Sequence, residues 1–88
     1  MEITKIITNE DGLHARPAGV LAKTASNFAS QINILFNGRS VNAKSAMMIM
    51  TLGLAKNNEI RIQAEGSDAE LALAKMSELI DGQFQVRG

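Results

Sequence analysis

The chain alternates short segments of hydrophobic period two with segments of period about 3.6, and only brief turns separate them. The first period is typical of strands with one buried face, and the second is typical of amphipathic helices. Gly, Asn and Asp mark the breaks, without a linker or a low-complexity stretch. A chain of 88 residues has room for one hydrophobic core, so we expect a single domain over residues 1–88.

The segments predict four strands and three helices in the order βαββαβα. Since the strands alternate in hydrophobicity, one face of the sheet should be wet and the helices should cover the other face. Asn37-Gly38 favours a tight hairpin between the second and third strands. The expected fold is an α+β, open-faced two-layer sandwich on a four-stranded antiparallel sheet. Its strands are predicted at 2–8, 31–37, 40–43 and 59–65, and its helices at 17–29, 46–52 and 69–80.

The last helix has signals at both of its ends. Residues 67–70 read Ser-Asp-Ala-Glu, which predicts a capping box between Ser67 and Glu70. Gly82 should end this helix. In the tail, Phe84 and Val86 are candidate packing residues without a functional signal.

Composition excludes several function classes. Nine Lys and Arg balance nine Asp and Glu, which argues against direct nucleic-acid binding. Cysteine is absent, so disulfides, thiolate nucleophiles and thiolate zinc sites are excluded. Apolar stretches are too short for membrane insertion, and no signal peptide is apparent, so we expect a cytoplasmic protein.

The single histidine directs attention to residues 12–18, which read Gly-Leu-His-Ala-Arg-Pro-Ala. Proline suits the first helical position and disfavours helix in the residue before it, which predicts a helix start at Pro17 with Arg16 near the cap. His14 then lies just before a helix N-terminus. The N–H groups of Ala18 and Gly19 should be free there, and the helix dipole should favour an anion.

An imidazole in this position suits phosphoryl transfer. The dipole opposes a further positive charge, so a ring nitrogen of His14 keeps a lone pair available as a nucleophile. A phosphate on that ring would meet backbone N–H groups and the guanidinium of Arg16. The chain shows no nucleotide-binding loop, so phosphate must come from another protein. Residue types alone leave open that His14 is a polar loop residue and Arg16 a solvated charge.

The short helix at 46–52 predicts an exposed apolar face. Ile49 and Leu52 are three residues apart and can face the sheet, whereas Ala46, Met47 and Met50 lie on another side. A methionine stripe usually belongs to a core, but a helix this short cannot bury every side. Flexible thioethers suit a surface that binds several partners, so we interpret this side as a docking patch.

Three segments together resemble one family: residues 12–18, Ala-Lys-Ser-Ala-Met at 43–47, and Leu-Gly-Leu at 52–54. They are similar to HPr, the histidine-containing phosphocarrier of the bacterial phosphoenolpyruvate:sugar phosphotransferase system. The resemblance covers nearly the whole chain. It implies that His14 accepts phosphate from enzyme I and donates it to IIA domains of sugar transporters, with Arg16 as the phosphate partner. It implies a carrier rather than an enzyme, without a cofactor or a metal.

Ser45 has a structural and a regulatory interpretation. A serine before a helix caps a free N–H, and a phosphate at the same position is tolerated without unfolding the helix. The resemblance implies that Ser45 is the regulatory serine of the ATP-dependent HPr kinase/phosphorylase, with a catabolite-control transcription factor as a further partner. The chain departs from the family pattern at Asp11, Ala46 and Met48. The Asp11 carboxylate would either repel a phosphate or, turned outward, have no effect.

Two other functions remain open from the sequence. One is a paralogous regulator that acts by binding a transcription factor or an enzyme, in catabolite repression or in a nitrogen-related branch. The intact His14 argues against a purely regulatory role. The other is a module that binds a small ligand, although no apolar pocket with convergent polar groups is evident.

Overall fold

Four strands form one antiparallel sheet in the order β1-β4-β2-β3 in the computed structural model, which describes residues 1–82 and residue 84. Within these residues the elements follow in the order βαββαβα, which confirms the predicted order and fold class. The strands are β1 Glu2–Ile6, β2 Gln31–Phe36, β3 Arg39–Asn42 and β4 Glu59–Glu65. The helices are α1 Ala15–Ala25, α2 Ala46–Met50 and α3 Ala69–Asp81.

The strand register lines up apolar side chains across the sheet. Ile62 of β4 pairs with Ile3 and Ile34, and Ile34 also pairs with Val41. Ile34, Val41 and Ile62 are buried, and Ile3 packs against the same core. In the neighbouring row Arg61 lies opposite Thr4 and is exposed. One face of the sheet is therefore buried under the helices and the other is wet, as the alternation predicts.

The hairpin between β2 and β3 has the predicted turn. Asn37 and Gly38 have φ angles of 52° and 81°, and Phe36 pairs with Arg39 across them. Two successive positive φ angles match the right-handed twist of the flanking strands. This turn fixes the register that buries Val41.

Helix α1 begins earlier and ends earlier than the sequence predicts. It starts at Ala15 rather than Pro17, with His14 as its N-cap, and it ends at Ala25 rather than at position 29. Pro17 is tolerated as the third helical residue, because N–H groups in the first turn have no helical acceptor in any case. After Ala25 the chain turns, and the Ser26 hydroxyl donates to the Ala22 carbonyl oxygen at 2.8 Å.

The capping box predicted at Ser67 and Glu70 is wrong. Asp68 is the N-cap of α3, and its side chain makes no capping hydrogen bond. Its carboxylate instead accepts the backbone N–H groups of Ala29 and Ser30 at 2.8 and 2.9 Å, and also the Ser30 hydroxyl. Ionised oxygens are strong acceptors for N–H groups that no strand or helix satisfies. The acidic residue at this helix start therefore joins α3 to the turn before β2.

The end of α3 agrees with the prediction. Gly82 is the C-cap, and its N–H donates to the Glu78 carbonyl oxygen at 2.9 Å. Phe84 is buried, which confirms it as a packing residue, whereas Val86 lies outside the described residues. Among residues 1–82 and 84, no helix is long and apolar enough to cross a membrane.

Candidate functional site

The loop before α1 is fixed to a distant part of the chain. Within the loop, the Gly12 N–H donates to the Asn9 carbonyl oxygen at 3.1 Å, and Leu13 donates to the Leu54 carbonyl oxygen at 3.0 Å. The Leu13 side chain is buried in the core. A buried side chain and a long-range backbone hydrogen bond thus position the residue that follows, His14.

His14 stands at the N-terminus of α1. Its backbone is extended, with φ −81° and ψ −167°, and its carbonyl oxygen accepts the Ala18 N–H at 3.0 Å. Its side chain makes no capping hydrogen bond and is exposed. The ring is therefore accessible at the positive end of an 11-residue helix.

The expectation that Ala18 and Gly19 supply the free N–H groups is wrong. Ala18 is buried, and its N–H already donates to the His14 carbonyl oxygen. Gly19 lies within α1, four residues after Ala15, so the helical acceptor for its N–H is the Ala15 carbonyl oxygen. Since the helix starts two residues earlier than predicted, its N–H groups without a helical acceptor are those of Ala15 and Arg16. The donors thus lie directly after the histidine.

An open cavity of about 260 Å³ contains the histidine site. His14, Arg16 and Pro17 line it, so the structure brings these three predicted residues together. Ala18 and Gly19 do not line it. Asp11, whose carboxylate the sequence placed near a phosphate on His14, lines the cavity as well. Three further lining residues were not predicted: Asn9, Glu10 and Phe84. Asn9 and Glu10 belong to the turn before Gly12, whereas nothing in the sequence connects Phe84 with this site.

The charges around the cavity are mixed. The Glu10 carboxylate accepts from Lys56 Nζ at 2.6 Å, and this hydrogen bond and charge hold the pKa of Glu10 below its usual value of 4.5. Asp11 is exposed and also lines the cavity. The Arg16 guanidinium forms no ion pair with any described residue, which leaves its N–H groups available to an anion. No group of metal-binding side chains occurs in residues 1–82 and 84.

Ser45 caps α2 as predicted. Its backbone is extended, and its hydroxyl oxygen accepts the Met48 N–H at 3.3 Å. At the other end of the helix, the guanidinium of Arg39 donates to the Thr51 carbonyl oxygen at 2.7 Å. One backbone group at each end of this short helix is therefore bound by a side chain.

The exposed side of α2 is richer in methionine than predicted. Ile49 and Leu52 are buried, as expected from their spacing. Met47 and Met50 are exposed, and so is Met48, which the docking-patch prediction omitted. We call Met47, Met48 and Met50 the methionine face. Ala46 contributes less than predicted, because it is partly buried against the core.

The two sites lie on helices that pack against each other, since α1 contacts α2 directly. One helix carries the exposed imidazole at its N-terminus, and the other carries the methionine face. The exposed imidazole and the methionine face therefore belong to neighbouring helices.

Comparison with known proteins agrees with this arrangement. The family model of the PTS HPr component phosphorylation site matches residues 1–82. HPr-C-His of Thermoanaerobacter tengcongensis is 43% identical, with a TM-score of 0.93, covering 100% of this chain and 99% of that chain. The histidine-containing phosphocarrier protein of Mycoplasma is 41% identical, with a TM-score of 0.91 and full coverage of both chains.

A third similar structure is that of a catabolite repression protein. Crh, a catabolite repression protein of Bacillus subtilis seen as a domain-swapped dimer, is 32% identical, with a TM-score of 0.74 and 90% of each chain covered. The match of the family model over residues 1–82, together with two phosphocarrier structures above 40% identity, decides the family. The chain belongs to the HPr family, the phosphocarrier proteins of the phosphotransferase system.

Proposed function

We propose that His14 is the phosphoryl acceptor of this phosphocarrier, that enzyme I is its donor, and that IIA domains of sugar transporters are its acceptors, all in the cytoplasm. The observation that supports this best is the exposed imidazole at the N-terminus of α1, in one cavity with Arg16. The chain acts as a covalent intermediate, and its partners catalyse both transfers. It is a carrier rather than an enzyme.

The transfer requires an accessible ring nitrogen. The unprotonated nitrogen of the His14 imidazole attacks phosphorus, a P–N bond forms, and the bond from phosphorus to the donor breaks. The other ring nitrogen carries the proton. The side chain of His14 is exposed, and no described residue forms a hydrogen bond to its ring.

The phosphorylated form would be held by groups at the start of α1. The N–H groups of Ala15 and Arg16 lie at the positive end of α1, which favours a dianion. The Arg16 guanidinium can donate two parallel hydrogen bonds to phosphate oxygens. These donors are exposed, so they stabilise the phosphate without burying it, and it stays available to the next acceptor.

Docking is assigned to Ala46, Met47 and Met50, extended by Met48. The phosphoryl donor has to bring its own reactive group to His14, and α2 adjoins the helix that carries this residue. Exposed thioethers adapt to differently shaped partners, which suits a carrier that must bind a donor and several acceptors.

Ser45 is proposed as a regulatory phosphorylation site of an ATP-dependent HPr kinase/phosphorylase. A phosphate there would stand at the N-terminus of α2 and beside the methionine face, so it would change the charge of the docking surface without unfolding the helix. The modified form could then be recognised by a catabolite-control transcription factor.

The test is phosphorylation of the full chain by phosphoenolpyruvate and enzyme I. The native protein should acquire an acid-labile phosphoryl group, and His14→Ala should acquire none. Because the imidazole makes no capping hydrogen bond, His14→Ala should keep its fold, which circular dichroism can check. Labelling of folded His14→Ala would refute the assignment.

The match to Crh favours a second candidate, a regulator that acts by binding a transcription factor or an enzyme. A comparison of Ser45-phosphorylated and unmodified protein in binding to a catabolite-control transcription factor distinguishes the two. A regulator gains this partner on phosphorylation and transfers no phosphate from His14. A carrier accepts phosphate from enzyme I in its unmodified form.

A further inference from the structure

Three of the five methionines of the chain lie together on the five-residue helix α2. Their exposed fractions are 76% for Met47, 41% for Met48 and 45% for Met50. The other two differ from them in informative ways. Met76 is 0% exposed, and Met1 is 64% exposed but lies next to β1 and not on α2.

An oxidant that meets this protein finds few other reactive groups. The chain contains no cysteine and no tryptophan, so exposed thioethers are its most readily oxidised side chains. We propose that the methionine face is an oxidation site, where hydrogen peroxide converts thioethers to sulfoxides and thereby weakens docking of the phosphoryl donor. The proposal rests on the proposed function of this face.

The chemistry is a two-electron oxidation with peroxide as the oxidant. A sulfur lone pair attacks one peroxide oxygen, an S–O bond forms and the O–O bond breaks. The leaving hydroxide takes up the proton of the transferred hydroxyl group and departs as water. Sulfur is oxidised and peroxide is reduced, and the products are one sulfoxide and one water for each thioether.

The fold should survive this change. Helix α2 is anchored by the buried side chains of Ile49 and Leu52, which do not react. Its N-terminal capping bond joins the Ser45 hydroxyl to the backbone of Met48, not to the thioether. Met76, the methionine of the core, is shielded from the oxidant. Oxidation should therefore alter the surface of α2 and leave its buried anchors, Ile49 and Leu52, in place.

The docking surface itself should lose affinity. A sulfoxide is a polar acceptor, and covering it with an apolar partner surface removes its water without supplying a donor. We expect the KM of the phosphoryl donor for this chain to rise about tenfold for each sulfoxide that the complex buries without a hydrogen-bond partner. The rate constant within the complex should change less, because the ring of His14 is untouched.

The test uses three full-length proteins: the native chain, Met1→Leu, and the triple variant Met47→Leu/Met48→Leu/Met50→Leu. Each is treated with hydrogen peroxide, its sulfoxides are mapped by peptide mass spectrometry, and its KM with phosphorylated enzyme I is measured before and after treatment. For each protein, KM after treatment is divided by KM before treatment. This ratio does not depend on whether the triple substitution itself changes KM.

We expect the KM ratio to be about ten or more for the native chain and for Met1→Leu, and near one for the triple variant. Treatment with methionine sulfoxide reductases and a dithiol should restore the native KM. A native ratio near one, or an equal rise in the triple variant, overturns the proposal. Failure of the untreated native chain to accept phosphate overturns the proposed function instead, so the two failures are distinguishable.

Discussion

Gly12 lies against the backbone of Leu54 so closely that a Cβ atom on Gly12 would stand 2.2 Å from the Leu54 carbonyl oxygen. Gly12 also has a φ of +66°, which side chains with a Cβ adopt only at a cost. The two residues join the loop before His14 to the segment after α2. The position of the imidazole thus depends on a contact between parts of the chain that are 42 positions apart (54 − 12).

Gly12→Ala should lower the free energy of unfolding by at least about 2 kcal/mol, because it combines backbone strain with a clash against backbone that cannot move aside. Chemical denaturation measures this change. Gly38→Ala is the control for strain alone, since its φ is +81° and its Cβ would meet nothing within 4 Å. It should lose about 1 kcal/mol. Equal losses in the two variants would contradict a role for the contact with Leu54.

Gly19→Ala is the matched substitution without either penalty. Gly19 lies inside α1, and a Cβ there would meet nothing within 4 Å. Alanine favours helix over glycine, so the free energy of unfolding should rise by about 0.5–1 kcal/mol. A loss of stability in the same denaturation experiment would show that Gly19 has a packing role that the structure does not reveal.

Arg16→Gln should lower kcat/KM for phosphoryl acceptance by roughly 10–100-fold, because it removes a guanidinium from the cavity that contains His14, the proposed phosphoryl acceptor. Quench-flow transfer from phosphorylated enzyme I measures the rate. Arg61→Gln removes the same charge from the wet face of the sheet and should transfer at the native rate. Equal rates for Arg16→Gln and Arg61→Gln would exclude Arg16 from the site.

Ser45→Asp should slow acceptance from enzyme I, since it places a negative charge beside the methionine face while keeping a side-chain oxygen that can cap α2. Ser67→Asp is the control, because it adds the same charge at an exposed position before α3. Only Ser45→Asp should raise the KM of enzyme I for this chain. Similar kinetics for both aspartate variants would exclude the proposed regulation.

The capping role of Ser45 is tested separately. Ser45→Ala removes the hydroxyl that accepts the Met48 N–H, so its free energy of unfolding in chemical denaturation should fall by about 1 kcal/mol.

Asp68 should make the protein sensitive to acid. The Ser30 hydroxyl, followed by the Ala29 N–H, holds the pKa of the Asp68 carboxyl below its usual value of 3.8. A pKa lowered in the folded state means that the ionised carboxylate favours folding. This contribution is fully present above pH 3.8, and it is lost as the pH falls through the lower pKa of the folded state.

Asp68→Asn should therefore unfold at a lower temperature than the native chain at about pH 6, and the difference should shrink at about pH 3 or below. Thermal unfolding followed by circular dichroism at both pH values measures this. Glu10→Gln is the control, because the pair of Glu10 with Lys56 is exposed and screened by solvent, so its effect should be smaller. A difference for Asp68→Asn that is independent of pH would contradict the assignment.

Local patterns predicted the elements well, since their physical cause is local. Alternation in β2 and β4 gives the buried row of Ile34 and Ile62, and Asn37-Gly38 gives the hairpin because these two residues accept positive φ angles. The predicted helix boundaries were less accurate. The proline rule placed the start of α1 at Pro17, but the structure starts the helix at Ala15.

The capping box failed for a different reason. Ser67 and Glu70 have the right spacing, but the decisive acceptor is the Asp68 carboxylate, whose partners Ala29 and Ser30 are 39 and 38 positions away in the chain. A local motif contains no information about such a partner. The same limit applies to Phe84, which reaches the cavity of His14 from the far end of the chain.

The sequence by itself determined the reactive group and the class of fold. There is one histidine, there is no cysteine, and the two hydrophobic periods specify which segments become strands and helices. The tertiary structure decided which N–H groups face the histidine, that Lys56 pairs with Glu10 beside it, and that Met48 is exposed with Met47 and Met50. These features depend on distances between segments that meet only when the sheet and helices pack, and hydrophobic periodicity carries no measure of those distances.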